Sequence, residues 1–290
     1  MNQQTSQNST RAITLMLTAI IFLSMMDACV KAVAPSVGAI PALWARYAGQ
    51  MLVVLVLVAP RIKTVIKTNH LPLQLARSVL LLLATAFFFQ GLSRIGLAQA
   101  TAVMVLNPLF ITLGAALFLS ETIGLRRIIA IVVAFCGAML IIQPGTDTFN
   151  PDALFPLAAA ICFAGYALVT RAVGRAEDPW TSLFYTALVG GIVMSLLLPT
   201  AWVPLNFKSS GLLVAIALFG TTGQLLLIKA FSSAPAGVLA PFGYAGVVCA
   251  TFIGFVFFSE IPVLTTWLGA LVIVGAGLYV WARETQSNTN

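Results

Sequence analysis

The sequence predicts an all-α membrane protein with ten transmembrane helices arranged as two inverted five-helix repeats. Three observations predict this fold class. Of the 290 residues, 60% are hydrophobic and 8% are charged, and the mean hydropathy is +1.02, whereas a soluble domain carries about 25% charged residues. The apolar residues form ten runs, each close to the roughly 20 residues that cross a bilayer. Basic residues collect in alternate loops between these runs. A water-soluble globule is therefore excluded.

Short polar loops separate the ten spans. The first span is interpreted as a helix of the mature protein and not as a signal peptide, because it is long, contains Asp27 and lacks a clear small-residue cleavage site. The ninth span has Pro241 in its first turns, where proline disrupts few helical hydrogen bonds. In chain order the predicted spans are 12–33, 39–59, 72–92, 97–119, 126–143, 152–172, 181–200, 210–231, 236–258 and 262–281.

The distribution of basic residues predicts the orientation. With the N-terminus in the cytoplasm, most of the 15 Lys and Arg residues lie on the cytoplasmic side, and the exceptions are Lys31, Arg46, Arg94 and Lys208. Basic residues near span ends are retained in the cytoplasm, so both termini are expected there. A net charge of +7 spread over short loops is a topology signal and disfavours a nucleic-acid-binding face.

Two basic residues near cytoplasmic span ends, Arg77 and Lys229, are expected to extend to the lipid headgroups. Their role would be anchoring and retention of the loops, so neither is expected to contact a substrate.

The two halves of the chain resemble each other. Residues 90–143 align with residues 229–282 at an offset that places Ser120-Glu121 on Ser259-Glu260. Five spans per half is an odd number, so the second half must enter the bilayer from the opposite side, which places Glu121 at the cytoplasmic face and Glu260 at the periplasmic face. Inverted repeats of this kind are typical of transporters. The expected organisation is a cytoplasmic tail at 1–11, a first repeat at 12–143, a periplasmic connector at 144–151, a second repeat at 152–282 and a cytoplasmic tail at 283–290.

Several short motifs connect the chain to a known family. They are Asp27-Ala-Cys-Val-Lys31, Pro41-Ala-Leu-Trp-Ala-Arg46-Tyr47, Asn107-Pro108-Leu-Phe, Ser120-Glu121 and Ser259-Glu260. With these motifs, the repeat and the topology, nearly the whole chain resembles the EamA-like branch of the drug/metabolite transporter superfamily. The resemblance implies secondary transport of small metabolites across a bacterial inner membrane. It does not imply a substrate, because this branch handles amino acids, nucleosides, sugars, cofactors and drugs.

Asp27 is the one acidic residue predicted to lie well inside a span. A charged side chain at that depth costs roughly 2.5 to 3.5 kcal/mol even on the scales derived from helix insertion into membranes, which give the lowest values. Counted from the predicted span ends, Asp27 and Arg46 lie at a similar depth, about 9 Å from the periplasmic side. Lys31 follows Asp27 by one helical turn and is a second candidate partner. Two interpretations stay open: an ion pair that locks the first two spans together, or a charged cluster that faces a substrate pathway. In the pathway interpretation Asp27 exchanges a proton, Arg46 binds a carboxylate or phosphate, and Lys31 takes part in coupling.

Other polar positions inside the spans complete the predicted site. Pro108 removes a backbone hydrogen bond in the middle of the fourth span and bends the helix, which suits a role in gating and a polar cavity wall beside Asn107. Buried glutamine and tyrosine side chains need partners, so they either contact the substrate or join neighbouring helices. The remaining predicted substrate contacts are Trp44, Gln90, Tyr166, Gln224 and Tyr244.

A gradient-driven carrier working by alternating access is the leading interpretation of function. Two bases beside one acid favour an amino-acid-like, zwitterionic or anionic metabolite, and a flat neutral vitamin, nucleoside or drug is the alternative. A membrane-embedded enzyme or a structural protein is a remote alternative, because no nucleophile, base or metal motif is present. The chain has a single histidine, and its four cysteines show no paired spacing, which argues against a metal centre. No cofactor, metal or nucleic acid is expected; the expected partners are the substrate, the lipid bilayer and protons as coupling ion, and a homodimer is left open.

Overall fold

The structure, a computed structural model, is helical throughout its regular elements and confirms the predicted all-α class. It describes residues 2–104, 106–107, 109–111, 113–114, 129, 132–133, 135–137, 139–140, 150–173, 177–233, 239, 242–243, 245–261 and 263–287. The helices are α1 (Asn2–Val37), α2 (Ala39–Val58), α3 (Ile62–Val65), α4 (Leu71–Ile95), α5 (Leu97–Met104), α6 (Leu154–Val173), α7 (Pro179–Leu197), α8 (Phe207–Ser233), α9 (Ala245–Phe258) and α10 (Leu264–Ser287).

Six stretches of the described chain are long and apolar enough to cross a membrane: Arg11–Val37, Ala39–Val65, Leu71–Ile95, Pro151–Val173, Pro179–Ala201 and Phe207–Ser233. They coincide with predicted spans one, two, three, six, seven and eight. Shorter apolar helices at Gln99–Ile111, Ala245–Phe258 and Leu264–Ala276 fall in predicted spans four, nine and ten. Most of the predicted fifth span, and Glu121 before it, lie outside the described residues.

The end of α1 differs from the prediction. Helix α1 continues to Val37, four residues beyond the predicted end, and stops at Gly38, whose φ of 81° lies in the left-handed region that glycine favours. Asp27 is therefore ten residues from the helix end, about 15 Å at 1.5 Å per residue. This is close to half of a hydrocarbon layer about 30 Å thick. Measured from the end of α1, Asp27 is thus farther inside the helix than the sequence predicted.

The helices of the two halves interdigitate. Helix α1 packs mainly against α8, α4 against α6 and α2 against α7; weaker contacts join α2 to α8, α4 to α7, α1 to α9 and α5 to α6. Each helix of the first half can be exchanged with its counterpart in the second half: α1 with α6, α2 with α7, α4 with α8 and α5 with α9. After this exchange every contacting pair named above becomes another of these pairs or stays the same pair. A two-fold relation between the halves requires this pattern. The packing therefore fits the predicted repeat.

Close approach of α2 to its neighbours depends on two glycines. A Cβ at Gly190 of α7 would overlap the ring of Tyr47, and a Cβ at Gly49 would overlap the side chain of Ala217 in α8. Tyr47 is fully buried, and its hydroxyl lies 2.9 Å from the Thr85 hydroxyl of α4. Small residues at such crossings let helix backbones approach inside a membrane, where the hydrophobic effect between helices is absent. The result is a packed centre formed by α2, α4, α7 and α8.

Candidate functional site

A cavity of about 180 Å³ lies at the centre of the helices. Both predicted halves line it, through α1, α2, α4 and α5 from the first and α6, α8 and α9 from the second. Aromatic lining comes from Phe88 and Phe163. The polar lining residues are Ser24, Asp27, Arg46, Thr85, Thr101, Asn107 and Gln224. Four of the residues predicted from the sequence, namely Asp27, Arg46, Asn107 and Gln224, are thus brought together.

Asp27 is distinguished by its lack of a partner. Among the described residues its carboxylate has no hydrogen bond and no ion pair within 4.0 Å, although Arg46 acts on it electrostatically. The other acidic side chains that the structure describes are engaged: Asp152 with Arg94, Glu177 with Thr68, Asp178 with the Trp180 amide, and Glu260 with Lys31. The half-buried carboxylate of Asp27 faces the cavity. The interpretation as a direct ion pair between Asp27 and Arg46 is therefore wrong for this conformation.

Arg46 carries a buried charge that is incompletely satisfied. Its side chain is 5% exposed. One terminal nitrogen donates to Oε1 of Gln224 at 3.3 Å, and the other contacts the sulfur of Met26 at 3.0 Å. The guanidinium carbon lies 5.5 Å from the ring of Tyr47 and 5.9 Å from that of Phe89, which supplies cation–π stabilisation. Its Nε has no partner in the described structure. The group therefore has capacity for an anionic ligand.

Gln224 joins Arg46 to a second layer of residues. Its Nε2 donates to the hydroxyl of Tyr166 at 2.8 Å while its Oε1 accepts from Arg46. Tyr166 is fully buried and does not line the cavity, and its ring lies 5.5 Å from that of Phe163. Tyr166 thus fixes the amide orientation of Gln224, which leaves the amide oxygen toward Arg46. The predicted substrate contact by Tyr166 is replaced in this conformation by a supporting contact.

The remaining predicted contacts lie elsewhere. Trp44 faces α7, where its Nε1 donates to the Ser195 hydroxyl at 3.1 Å. Gln90 is half-buried on α4. Neither residue lines the cavity, so the structure does not bring them to the site. Tyr244 and Pro108 lie outside the described residues.

Lys31 has a different partner from the one predicted. Its Nζ forms an ion pair with Oε1 of Glu260, and the ammonium also lies 5.4 Å from the ring of Phe258. The Leu97 amide at the start of α5 donates to Oε2 of the same carboxylate at 3.2 Å. Glu260 therefore ties α1 to α5 and to the end of α9. Sequence reasoning missed this pair, although it had placed Lys31 and Glu260 at the same membrane face.

Arg77 is not at the membrane surface. Its side chain is fully buried. One terminal nitrogen donates to the Ser182 carbonyl of α7 and, at 2.8 Å, to the Thr186 hydroxyl. The prediction that Arg77 extends to the headgroups is therefore wrong, because α7 covers this face of α4 and closes the route to the lipid interface.

Comparisons with known proteins agree with this architecture. The model of the EamA-like transporter family matches residues 10–143 and 151–281. A riboflavin transporter of Rhizobium johnstonii is 32% identical over 224 residues, which covers 74% of this chain and 72% of that protein. An S-adenosylmethionine uptake transporter of Rickettsia felis is 31% identical over 229 residues, with coverages of 78% and 76%. A pseudopaline exporter of Pseudomonas aeruginosa is 29% identical over 259 residues, with coverages of 87% and 89%.

A solved crystal structure has the same fold. It aligns over 95% of this chain and 99% of its own length with a TM-score of 0.66 and 19% identity, a likeness that concerns the fold alone. The family and its named members are transporters of small molecules, so the protein is a multi-pass membrane transporter and not an enzyme. The chain belongs to the EamA-like transporter family.

Proposed function

We propose that the protein is a secondary carrier for an amino-acid-like, zwitterionic metabolite, and that it resides in a bacterial inner membrane with both termini in the cytoplasm. One observation carries the proposal: Asp27 and Arg46 line the same cavity without pairing directly. An acid and a base held apart across a cavity match the two charges of an amino-acid head group. The bacterial relatives and the distribution of Lys and Arg support the location and orientation.

The chemistry of the lining suits each part of such a substrate. The substrate ammonium would lie against the Asp27 carboxylate, and its carboxylate would accept hydrogen bonds from Arg46. Hydrogen bonds to charged groups contribute about 1.5 to 3 kcal/mol each. Phe88 and Phe163 offer apolar surface to the side chain. Because drug-sized ligands occupy pockets of about 300 to 1,000 Å³, a cavity of about 180 Å³ fits the head group rather than a whole large metabolite.

Alternating access would follow from the relation between the halves. The helix pairs in contact exchange when the two halves are exchanged, which supports a rocking motion that opens one side as it closes the other. A gradient must drive such a carrier. We propose protons as the coupling ion with Asp27 as their binding group, because intramembrane carboxylates serve as proton relays in transporters.

Transport tests can examine the head group directly. Purified protein in liposomes loaded with methionine or S-adenosylmethionine is assayed for counterflow of the labelled compound, with competition by methionine methyl ester and N-acetylmethionine. The ester lacks the carboxylate and the acetyl derivative lacks the ammonium, so both should compete about 10-fold to 100-fold less well than methionine, in proportion to one lost charged contact.

The charge-neutral variants make this test specific. Asp27→Asn should reduce discrimination against the acetyl derivative, and Arg46→Gln should reduce discrimination against the ester. Equal competition by all three compounds in the unmodified protein would contradict recognition of a zwitterion.

A flat neutral compound is the second candidate. The 32% identical relative is named as a riboflavin transporter, and two aromatic rings line the cavity. In this case riboflavin counterflow would be observed, and Phe88→Ala would impair it more than Asp27→Asn. This ordering of the two variants separates the second candidate from the first.

A further inference from the structure

Arg77 lies in a buried polar cluster that the cavity does not include. Among the described residues, its Nε and Nη1 have no hydrogen-bond partner, and only Nη2 is engaged. Gln74, one turn earlier on α4, is also fully buried and donates to the Ser182 hydroxyl at 3.4 Å, while its Oε1 has no partner. Both side chains contact Ser182, so the unsatisfied groups lie close together.

The charge of Arg77 is not neutralised by an acid. The ion pairs in the described part of the chain are Lys31 with Glu260 and Arg94 with Asp152. A guanidinium inside a membrane helix is costly unless it is paired or faces a water-filled path. The two contacts that Nη2 makes to Ser182 and Thr186 join α4 to α7, but they leave Nε and Nη1 of Arg77 unused. The cluster therefore has more binding capacity than helix packing needs.

A continuous series of contacts connects this cluster to the cavity. Arg46 donates to Gln224, Gln224 donates to Tyr166, and the guanidinium of Arg77 lies 5.5 Å from the ring of Tyr166. Gln50, one turn after Arg46 on the same helix face, is 1% exposed and has no partner for either amide atom in the described structure. A second unsatisfied polar side chain thus lies one turn from Arg46 on α2.

The two arginines lie at different depths. Arg46 is seven residues from the start of α2, about 10 Å, and Arg77 is six residues from the start of α4, about 9 Å. In the predicted topology α2 begins at the periplasmic side and α4 at the cytoplasmic side. The two guanidinium groups are then roughly 10 Å apart along the normal of a layer about 30 Å thick.

We propose that Arg77 forms a second anion-binding site, on the cytoplasmic side of the cavity, that takes the carboxylate of the substrate when the carrier opens inward. In this conformation Tyr166 lies between the two sites, because its ring contacts Arg77 and its hydroxyl accepts from Gln224, the partner of Arg46. The proposal rests on the proposed function for the identity of the anion. Attraction of an anion to Arg77 in the inward-open state does not depend on which substrate is carried.

The test uses a cysteine beside an intact Arg77. Thr186, whose hydroxyl lies 2.8 Å from the Arg77 Nη2, is replaced by cysteine in a background where the four native cysteines are serine. Everted membrane vesicles expose the cytoplasmic face to two methanethiosulfonate reagents of similar size, the anionic sulfonatoethyl and the cationic trimethylammonioethyl compound. The anionic reagent should react faster, and Arg77→Gln should lower the ratio of the two rates at least about tenfold, whereas Arg77→Lys should keep the preference.

Controls make each outcome decisive. Leu83→Cys, on the exposed face of α4, should not react, because a thiol against lipid is not ionised. Ser182→Cys replaces Thr186→Cys if the latter does not yield a monodisperse protein. No reaction from the cytoplasmic side, or a rate ratio independent of Arg77, would overturn the proposal. Failure of methionine counterflow with a normal rate ratio would instead contradict the proposed substrate and leave the anion site intact.

Discussion

At the scale of single residues, the site depends on two charges that are close but not joined. If Asp27 and Arg46 formed a direct ion pair, a substrate would have to break it, and the cost would offset most of the binding energy. Held apart, with Arg46 supported by Gln224 and two aromatic rings, the charges are available to a ligand. The proposed function therefore explains why Asp27 has no partner among the described residues.

Proton coupling through Asp27 is testable with a neutral variant. In liposomes with an imposed pH gradient, acidic inside, uptake by the unmodified protein should exceed uptake without the gradient, because the proton and the substrate ammonium compete for Asp27 and are carried in opposite directions. Asp27→Asn cannot bind a proton, so its transport should lose this stimulation while exchange of substrate continues. Asp152→Asn is the control, because Asp152 pairs with Arg94 at an exposed site. Stimulation that persists in Asp27→Asn would remove Asp27 from the coupling mechanism.

The Tyr166 hydroxyl should affect binding through Gln224. Tyr166→Phe keeps the ring and removes the hydrogen bond to Gln224, so we expect a loss of about 1 kcal/mol of stability and a KM a few-fold higher, because the amide is no longer held toward Arg46. Tyr185→Phe is the matched control, since its hydroxyl donates at 2.8 Å to the Ile66 carbonyl away from the cavity. Thermal unfolding should shift similarly in both variants, whereas KM should change in Tyr166→Phe alone.

At the scale of helices, the long apolar runs could be predicted because composition and length decide whether a segment crosses a bilayer. Their ends were harder. The sequence indicated a first span ending at residue 33, but Gly38, with φ 81°, is the residue that ends α1. Ser259, with φ 54°, similarly redirects the chain after α9 and lets the Glu260 amide donate to the Gly254 carbonyl at 3.0 Å. Such local backbone conformations follow from tertiary packing and leave no periodic signal.

The partners of buried charges were the least predictable feature of the helices. Lys31 and Glu260 are 229 residues apart in the chain, and Arg77 and Ser182 are 105 apart. Depth in the membrane placed Lys31 near the face where Glu260 also lies, but depth does not specify which helices are neighbours. The burial of Arg77 depends on α7 covering α4, which only the packed structure reveals.

Helix packing at α2 predicts unequal effects of two glycine substitutions. Gly190→Ala places a Cβ against the Tyr47 ring at the contact of α2 with α7. Overpacking of this kind costs about 1 to 3 kcal/mol, so we expect lower thermal stability in detergent and reduced transport. Gly211→Ala in α8 meets nothing within 4 Å and should be neutral or slightly stabilising, because alanine is the better helix former. Similar melting temperatures for the two variants would contradict close packing at Gly190.

At the scale of the whole molecule, the polar groups are arranged around the cavity at different distances from the two membrane faces. The Lys31–Glu260 pair lies on the predicted periplasmic side, and the contacts of Arg77 with Ser182 and Thr186 lie on the predicted cytoplasmic side. A carrier that alternates must break one set while the other holds. Both sets join helices from different halves, so each can report on the relative position of the halves.

Weakening the periplasmic contact should shift the population toward the outward-open state. The Lys31–Glu260 pair is partly exposed, with side-chain exposures of 16% and 29%, so its contribution is about 1 kcal/mol or less. Removing a contact that exists in only one of two states changes their ratio by that free energy, up to about fivefold. Glu260→Gln also weakens the hydrogen bond that the Leu97 amide donates to this side chain, which adds to the shift toward the outward-open state.

The shift can be measured at Thr101, which lines the cavity from α5. In intact cells, a membrane-impermeant thiol reagent should label Thr101→Cys up to about five times faster when Glu260→Gln is added, and Lys31→Gln should have a similar effect. The double variant should be labelled only slightly faster than either single variant, because both substitutions break the same ion pair. Asp152→Asn removes the other described ion pair and should leave the rate unchanged. If Glu260→Gln accelerates labelling from the cytoplasmic side instead, the pair closes the opposite face and the predicted topology is inverted.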